Sequence, residues 1–258
     1  MFNYANVLIR NVSPSFTNAI CNTKPTIPID INKAIHQHKI YTNNIKSLIN
    51  TCHIIDYDDT CPDCVFIEDI CVIIGNKVLI TNPGHIARKN EIRMVKDYLV
   101  NLGLDILYMP SDCTLDGGDV LITNKEIFVG ISSRTNIKGG NFIKNVFDDK
   151  KVSFINVTSL HLKSSVSILD NNSLIITDTT EGENIARQIA DYEFTKIPDS
   201  VCSNILRIHN TVFIQKGYPK SEKILEKIII KKGLICKKLE MSEFIKADGA
   251  LTCCSVLF

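Results

Sequence analysis

Cys253 is the first of two adjacent cysteines in the stretch ADGALTCCSVLF, residues 247–258. A disulfide between neighbours would be badly strained, so the pair needs another explanation. A cysteine is a nucleophile only as thiolate, and a nearby imidazolium or other cation makes that form accessible. His161 in LHLKSS could supply the imidazole. Asp116 in LDGGDV could orient it, completing the usual architecture of an activated nucleophile. A Cys and a His alone carry little weight, because buried cysteines and hydrogen-bonded core histidines are common. The carboxylate followed by Gly117 and Gly118, where backbone can approach another group closely, favours the chemical reading.

The stretch PDCVFIEDI offers a second kind of chemistry. Glu68 and Asp69 are consecutive inside an apolar run that reads as a strand, so at least one carboxylate must face inward. A buried carboxylate is costly unless a cation meets it. That cation is either an internal Arg or Lys or a cationic substrate, and a planar guanidinium suits paired carboxylates by bidentate hydrogen bonds. Cys61 and Cys64 in CPDC have zinc-like spacing, but no second ligand pair follows and a strand follows where a redox motif would open a helix. They read as ordinary cysteines flanking a turn at Pro62-Asp63. The glycine pairs at 117 and 139 lack any phosphate-loop context.

Composition limits what could hold these groups. The chain has 258 residues and 45% apolar content, enough for a packed core. A net charge of +1 argues against a nucleic-acid or membrane-surface partner. No apolar run reaches the ~20 residues of a membrane span. The N-terminal MFNYANVLIRNV is broken by Asn3, Asn6, Arg10 and Asn11 and lacks a signal-peptide block. The expected compartment is the cytoplasm, where the ten cysteines stay reduced and three N-x-[ST] sequons at Asn11, Asn156 and Asn171 carry no meaning.

One unit recurs along the chain. Alternating apolar runs turn at Gly75-Asn76, Asn124-Lys125, Asn171-Asn172 and His209-Asn210. Two-residue turns of this composition predict hairpins, and their spacing of about 40–50 residues is a supersecondary period. Helices are predicted between them. One contains Ile92, Val95, Leu99 and Leu102 and stops at Gly103. A longer one follows Asp30 and is marked by Ile31, Ala34, Ile35, Tyr41, Ile45, Leu48 and Ile49. A third runs from Pro219 to Lys232, before Gly233. A fifth unit is split, so that NVLIRNV at one end must pair with LTCCSVLF at the other. The expectation is one domain over residues 1–258: a closed ring of five α/β units whose first strands line the axis. Glu68, Asp69, Asp116, Asp119, His161 and Cys253 then converge at one mouth. The segment Phe16–Pro28 is the candidate mobile loop.

The motifs PDCVFIED, TNPGHIAR, TLDGGDVL, FVGISSRTN, LHLKS and DGALTCCSVL together resemble dimethylarginine dimethylaminohydrolases of the guanidino-group-modifying (pentein) superfamily, over nearly the whole chain. The resemblance implies a five-bladed α/β propeller that hydrolyses asymmetric dimethylarginine and monomethylarginine to citrulline and a methylamine, without a cofactor. It makes Cys253 the nucleophile, His161 the general acid and base, and Asp116 its partner. Glu68 and Asp69 would hold the guanidinium. Asp63, Asp248 and the Ala247 carbonyl would meet the α-amino group, and Arg88 and Arg134 the α-carboxylate. Asn82 replaces a family arginine, and Cys21 stands near the leucine expected in the lid. Some members bind an inhibitory zinc at the nucleophile, which catalysis does not need. Two rivals remain at this stage: arginine deiminase activity, and a non-enzymatic methylarginine-binding or redox-regulated protein. Deiminases place an Asp two residues after the catalytic His. Lys163 stands there and is expected to face away or pair elsewhere.

Overall fold

The computed structural model describes residues 2–258. Fifteen strands form five three-stranded sheets. The first unit comprises β1 (Asn6–Arg10), α1 (Ile31–Lys46) and β2 (Thr51–Ile55). The second comprises β3 (Cys71–Ile74), β4 (Lys77–Ile80), α2 (Ile92–Asn101) and β5 (Asp105–Tyr108). The third comprises β6 (Val120–Ile122), β7 (Ile127–Ile131), α3 (Ile137–Val146) and β8 (Val152–Asn156). The fourth comprises β9 (Val166–Asp170), β10 (Ser173–Thr177), α4 (Thr180–Gln188) and β11 (Glu193–Ile197). The fifth comprises β12 (Leu206–Ile208), β13 (Thr211–Gln215), α5 (Pro219–Lys231) and β14 (Ile235–Leu239). The last strand, β15 (Ser255–Leu257), returns to the first unit and pairs antiparallel with β1, Leu8 opposite Val256.

Every sheet therefore has the same plan. An inner strand pairs antiparallel with a middle strand, and a helix carries the chain to a parallel outer strand. All four predicted hairpin turns lie between the paired strands. Residues from all five inner strands surround a central channel of about 130 Å³.

The middle strands explain why the ring closes. Each is apolar on both faces, as strands covered on both sides are. Val78 and Ile80 pack with Val95 and Leu99 of α2, while the intervening Leu79 enters the next core, with Ile143 of α3. Leu174 and Ile176 pack with Ile185 of α4, and Ile175 joins Leu225 and Ile229 of α5. The same alternation sends Phe213 of the fifth unit into the core of α1, beside Tyr41 and Ile45. No unit buries its sheet alone. Each such buried Leu, Ile or Phe contributes about 1.5–3 kcal/mol.

Helix boundaries follow local chemistry. The Asp30 carboxylate caps α1 by accepting from the Lys33 N–H, and Gly103 and Gly233 take φ of 73° and 70° just past α2 and α5. α1 ends at Lys46, short of Leu48 and Ile49, and Ile35 is exposed; its buried stripe is Ala34, Gln37, His38, Tyr41 and Ile45. Among the described residues no helix is long and apolar enough to cross a membrane.

One expectation needs correcting. The chemistry-bearing residues do not lie on the inner strands. Each inner strand is preceded by a 3₁₀ turn: Ile67–Asp69, Gly117–Asp119, Leu162–Ser164, Ser200–Ser203 and Thr252–Cys254. The ladders begin only at the strand starts, so the backbone here bonds within the turn, as in Ile70 N–H to Ile67 O and Ser165 N–H to Leu162 O. Successive side chains on such a turn are ~120° apart, so the opposite-face argument for neighbouring residues does not apply.

Candidate active site

The five turns meet at one end of the channel. Asp116 is fully buried at the start of the second of them. Its Oδ2 accepts from His161 Nε2 at 2.9 Å, its Oδ1 accepts from the Gly84 N–H at 2.8 Å, and Arg134 Nη1 stands 3.4 Å from Oδ2. Both glycines after Asp116 are required by close approach. A Cβ on Gly117 would stand 2.0 Å from the Glu68 carbonyl oxygen, and one on Gly118 would stand 2.7 Å from His161 Nδ1 and 2.9 Å from an Asp69 oxygen.

Burial alone would lower the His161 pKa. The Asp69 carboxylate, with Nε2–Oδ1 at 3.9 Å, and the Asp116 hydrogen bond outweigh it and hold the imidazole at about 9. It is imidazolium at neutral pH. Asp69 also pairs with Arg88 Nη1 and accepts from the Gly118 N–H at 2.9 Å. Its own burial is outweighed by His161 and Arg88, which bring it down to about 2. Cys253 behaves oppositely. Burial and the nearby Glu68 and Asp69 charges push its thiol well above the ordinary range, against a contact from the Ala250 N–H at 3.4 Å. The sulfur is therefore a thiol on the same cavities as an imidazolium, and a cation in the site would favour the thiolate.

Two cavities open on this centre. One of about 220 Å³ is bordered by Glu68, Gly118, Lys163 and Asn204; a smaller one of about 30 Å³ is bordered by Asp63, Asp69, Arg88, Arg134 and Ala247. His161, Cys253 and Asp248 border both. Cys254 is fully buried in the core around α1, whereas Cys253 packs against the edge of that core and borders both cavities.

Glu68 and Asp69 are both buried, and each already has an internal cation. Glu68 Oε1 accepts from Lys163 Nζ at 2.6 Å and Oε2 from Thr252 Oγ1 at 2.8 Å. Contrary to expectation, Lys163 neither faces away nor pairs elsewhere: it meets Glu68 inside the site, where the pair borders both the larger cavity and the central channel. Arg88 is nearly saturated: besides Asp69 it donates to Glu91 through Nε at 2.9 Å and Nη2 at 2.8 Å, and to the Phe66 carbonyl at 2.9 Å. Arg134 carries the weaker commitments.

The segment 16–28 lies over the small cavity. Phe16 packs against Phe66 and Phe244. The Ile20 N–H donates to the Asp63 carboxylate at 3.1 Å, and the Asn22 N–H donates to Asp248 Oδ2 at 2.6 Å. Asp248 sits at φ 57°, a left-handed conformation that Asp tolerates. Cys21 lies between these two anchors but borders neither cavity.

Asp119 was expected at the mouth without a role, and Glu91 and Asn204 were not picked out from the sequence at all. Buried Asp119 accepts from Ser132, Thr135 and the Leu162 N–H, fixing the turn after His161, and its burial raises its pKa to about 6. Glu91 neutralises Arg88, and Asn204 bonds to Thr252. Donor atoms of Asp69, Asp116 and His161 lie within 4.8 Å of one another. Two carboxylates and an imidazole are zinc-type donors, and the Cys253 sulfur, which lies outside that cluster, would have to move in to complete a set. Zinc there would need the imidazole and the thiol deprotonated and the His161–Asp116 bond displaced.

The comparisons with known proteins come down on one family. The N(G),N(G)-dimethylarginine dimethylaminohydrolase of Pseudomonas aeruginosa is 23% identical, covering 99% of this chain and 100% of that protein. The same-named protein of Streptomyces coelicolor is 28% identical, covering 96% and 95%. The solved structure of a cysteine-to-serine mutant of the Pseudomonas aeruginosa protein, complexed with citrulline, superposes with a TM-score of 0.89 at 22% identity over all of both chains. The N-terminal domain of ArgZ, an arginine dihydrolase from cyanobacteria, gives 0.83 at 17% identity, covering 98% of this chain and 97% of that one. The fold is the five-bladed propeller of these proteins. The family model for eukaryotic N,N-dimethylarginine dimethylhydrolase matches residues 10–197, and the chain belongs to that family.

Proposed function

We propose that this protein hydrolyses Nω-methylated arginines to citrulline and dimethylamine or methylamine through a covalent cysteine adduct. The observation that carries the reading is that His161, which borders the same two cavities as Cys253, is hydrogen-bonded at 2.9 Å to Asp116 buried behind it. The substrate guanidinium enters among Glu68, Asp69 and Cys253. Its positive charge lets the Cys253 thiol release its proton to solvent, stabilises the resulting thiolate while His161 stays protonated, and keeps the central carbon electrophilic. The sulfur attacks that carbon, and the electron pair of one C=N bond moves to nitrogen. His161 protonates the departing methylamine nitrogen, the C–N bond breaks, and an S-alkylthiouronium remains. Water then gives a proton to His161 as its oxygen attacks the same carbon. The C–S bond breaks, and citrulline and the free cysteine are released. Asp116 fixes the imidazole and stabilises its charged form.

The remaining roles are those the family resemblance implies, and the lining of the small cavity supports them. Asp63, Asp248 and the Ala247 carbonyl receive the α-ammonium, with Asp63 and Asp248 exchanging or sharing the Ile20 and Asn22 N–H groups. Arg134 receives the α-carboxylate more readily than Arg88, whose donors are mostly engaged. Cys21 acts only through the covering segment. Zinc at Cys253 would block the nucleophile, and no step uses it. A reducing, cytoplasmic setting and a single catalytic domain over residues 1–258 complete the proposal.

The test is citrulline release from dimethylarginine, monomethylarginine and arginine at equal concentration. Faster turnover of arginine would replace this reading with the dihydrolase or deiminase one, which the ArgZ fold likeness keeps as the alternative. Tight dimethylarginine binding without any citrulline would leave a binding protein.

A further inference from the structure

Four of the five turns at the mouth supply Glu68 and Asp69, Asp116, His161 and Cys253. The fifth, Ser200–Ser203, ends on Asn204, which is buried at 2% exposure and has no role in the reaction as described. We propose that Asn204 is a positioning residue that locks the turn bearing the nucleophile to the turn bearing the base. The inference rests on the proposed reaction.

Asn204 Nδ2 donates to the Lys163 carbonyl at 2.9 Å and to Thr252 Oγ1 at 3.0 Å, and its Oδ1 accepts from the Thr252 N–H at 3.0 Å. Lys163 lies two residues after His161, and Thr252 immediately precedes Cys253. One amide thus ties together the backbones beside the two reacting groups. The circuit continues: Thr252 Oγ1 gives its proton to Glu68, and Glu68 pairs with Lys163 Nζ. Turns from four units close into a ring around the cavity that Asn204 shares with His161 and Cys253.

Only a primary amide satisfies these partners. The Thr252 hydroxyl already donates to Glu68, so it and the Lys163 carbonyl both present lone pairs, while the Thr252 N–H needs an acceptor. An aspartate would set its oxygens against both lone pairs, and an apolar residue would leave three buried groups unpartnered. Both N–H donors of Asn204 are engaged, leaving none for a substrate. Its effect must pass through Cys253 and His161, where misplacement by 1 Å can cost ~10²-fold in rate.

The test compares Asn204→Ala, Asn204→Asp and Thr252→Val with wild type. Two readouts are taken on folded protein: the split between kcat and KM for dimethylarginine, and the pH profile of Cys253 alkylation by iodoacetamide, followed by mass spectrometry. The expected result is a fall in kcat of about 10–100-fold with KM changed less than about threefold. The alkylation midpoint should rise, because the thiol loses its fixed relation to the imidazolium. Wild-type kcat and an unchanged alkylation profile in Asn204→Ala overturn the proposal. So does a raised KM with kcat intact, which would make Asn204 a substrate contact. Should Asn204→Ala not fold, Asn204→Asp, which keeps an acceptor for the Thr252 N–H but loses both donors, to the Lys163 carbonyl and to Thr252 Oγ1, is read identically, while Thr252→Val reports on the Oγ1 contact and its bond to Glu68 alone. If wild type releases no citrulline from any arginine, the proposed reaction fails, and the alkylation profile still decides the role of Asn204.

Discussion

His161 Nε2 lies 2.9 Å from Asp116 Oδ2, both groups are buried, and the opposite ring nitrogen occupies space that any Cβ at Gly118 would claim. The imidazole is held by a charge on one side and fits only because a side chain is missing on the other.

Asp116→Asn keeps size and removes the charge. The imidazolium then loses a partner, so its pKa should drop from about 9 toward its ordinary value. We expect kcat to fall by about 10²–10⁴-fold with a much smaller change in KM. The kcat–pH profile should lose its activity at a lower alkaline pH than wild type, because the general acid deprotonates earlier. An unchanged rate with altered binding would move Asp116 to the substrate contacts.

Gly118→Ala tests the other side. Its methyl group would intrude on His161 and Asp69. Activity should fall by at least about tenfold while the melting temperature moves by a few degrees only. Full activity would show that the ring has room to shift.

The two cysteines should separate cleanly. Cys253→Ser should lose turnover and keep the fold. Cys254→Ser should keep most activity but lose about 1–3 kcal/mol of stability, since it buries a hydroxyl in the core of α1. Denaturant unfolding and citrulline release on both variants decide it; a dead, well-folded Cys254→Ser beside an active Cys253→Ser reverses the assignment.

Lys163→Met leaves the Glu68 carboxylate buried without its cation. Removing one partner of a buried pair costs about 3–5 kcal/mol. A cationic substrate would then fill the gap, so dimethylarginine should raise the melting temperature of Lys163→Met more than that of wild type. Equal shifts in thermal melts would show that the substrate does not reach Glu68.

His38 gives a pH prediction away from the site. It is buried on α1 against Tyr41 and Phe244, its Nε2 has no partner among the described residues, and burial lowers its pKa to about 4. The unfolded chain binds this proton near pH 6.5 and the folded one only near pH 4, so stability is intact above 6.5 and is lost as pH falls toward 4. The full loss is about 3 kcal/mol. Urea unfolding of wild type and His38→Phe between pH 4.5 and 7 should show a shallower loss in the variant. Parallel curves would place the acid sensitivity elsewhere.

Much of this architecture was written in local patterns. Asn and Gly turns between alternating apolar runs set the hairpins, and Asp30, Gly103 and Gly233 set helix ends, because capping and turn chemistry act over a few residues. The closure of the first unit by the last strand followed from counting unpaired strands. Cys253, His161 and Asp116 were nameable because few residue types can do that chemistry. What only the tertiary structure decided is where side chains point and what they meet. The reacting residues lie on 3₁₀ turns and not on strands, since the ring mouth offers no ladder partner there. Lys163 and Arg88 fill the carboxylates expected to wait for substrate. Asn204 belongs to the site because a turn about 40 residues after His161 is folded back beside it. Such contacts join positions far apart in the chain, and burial, which sets their charge states, exists only once the five units have closed on one another.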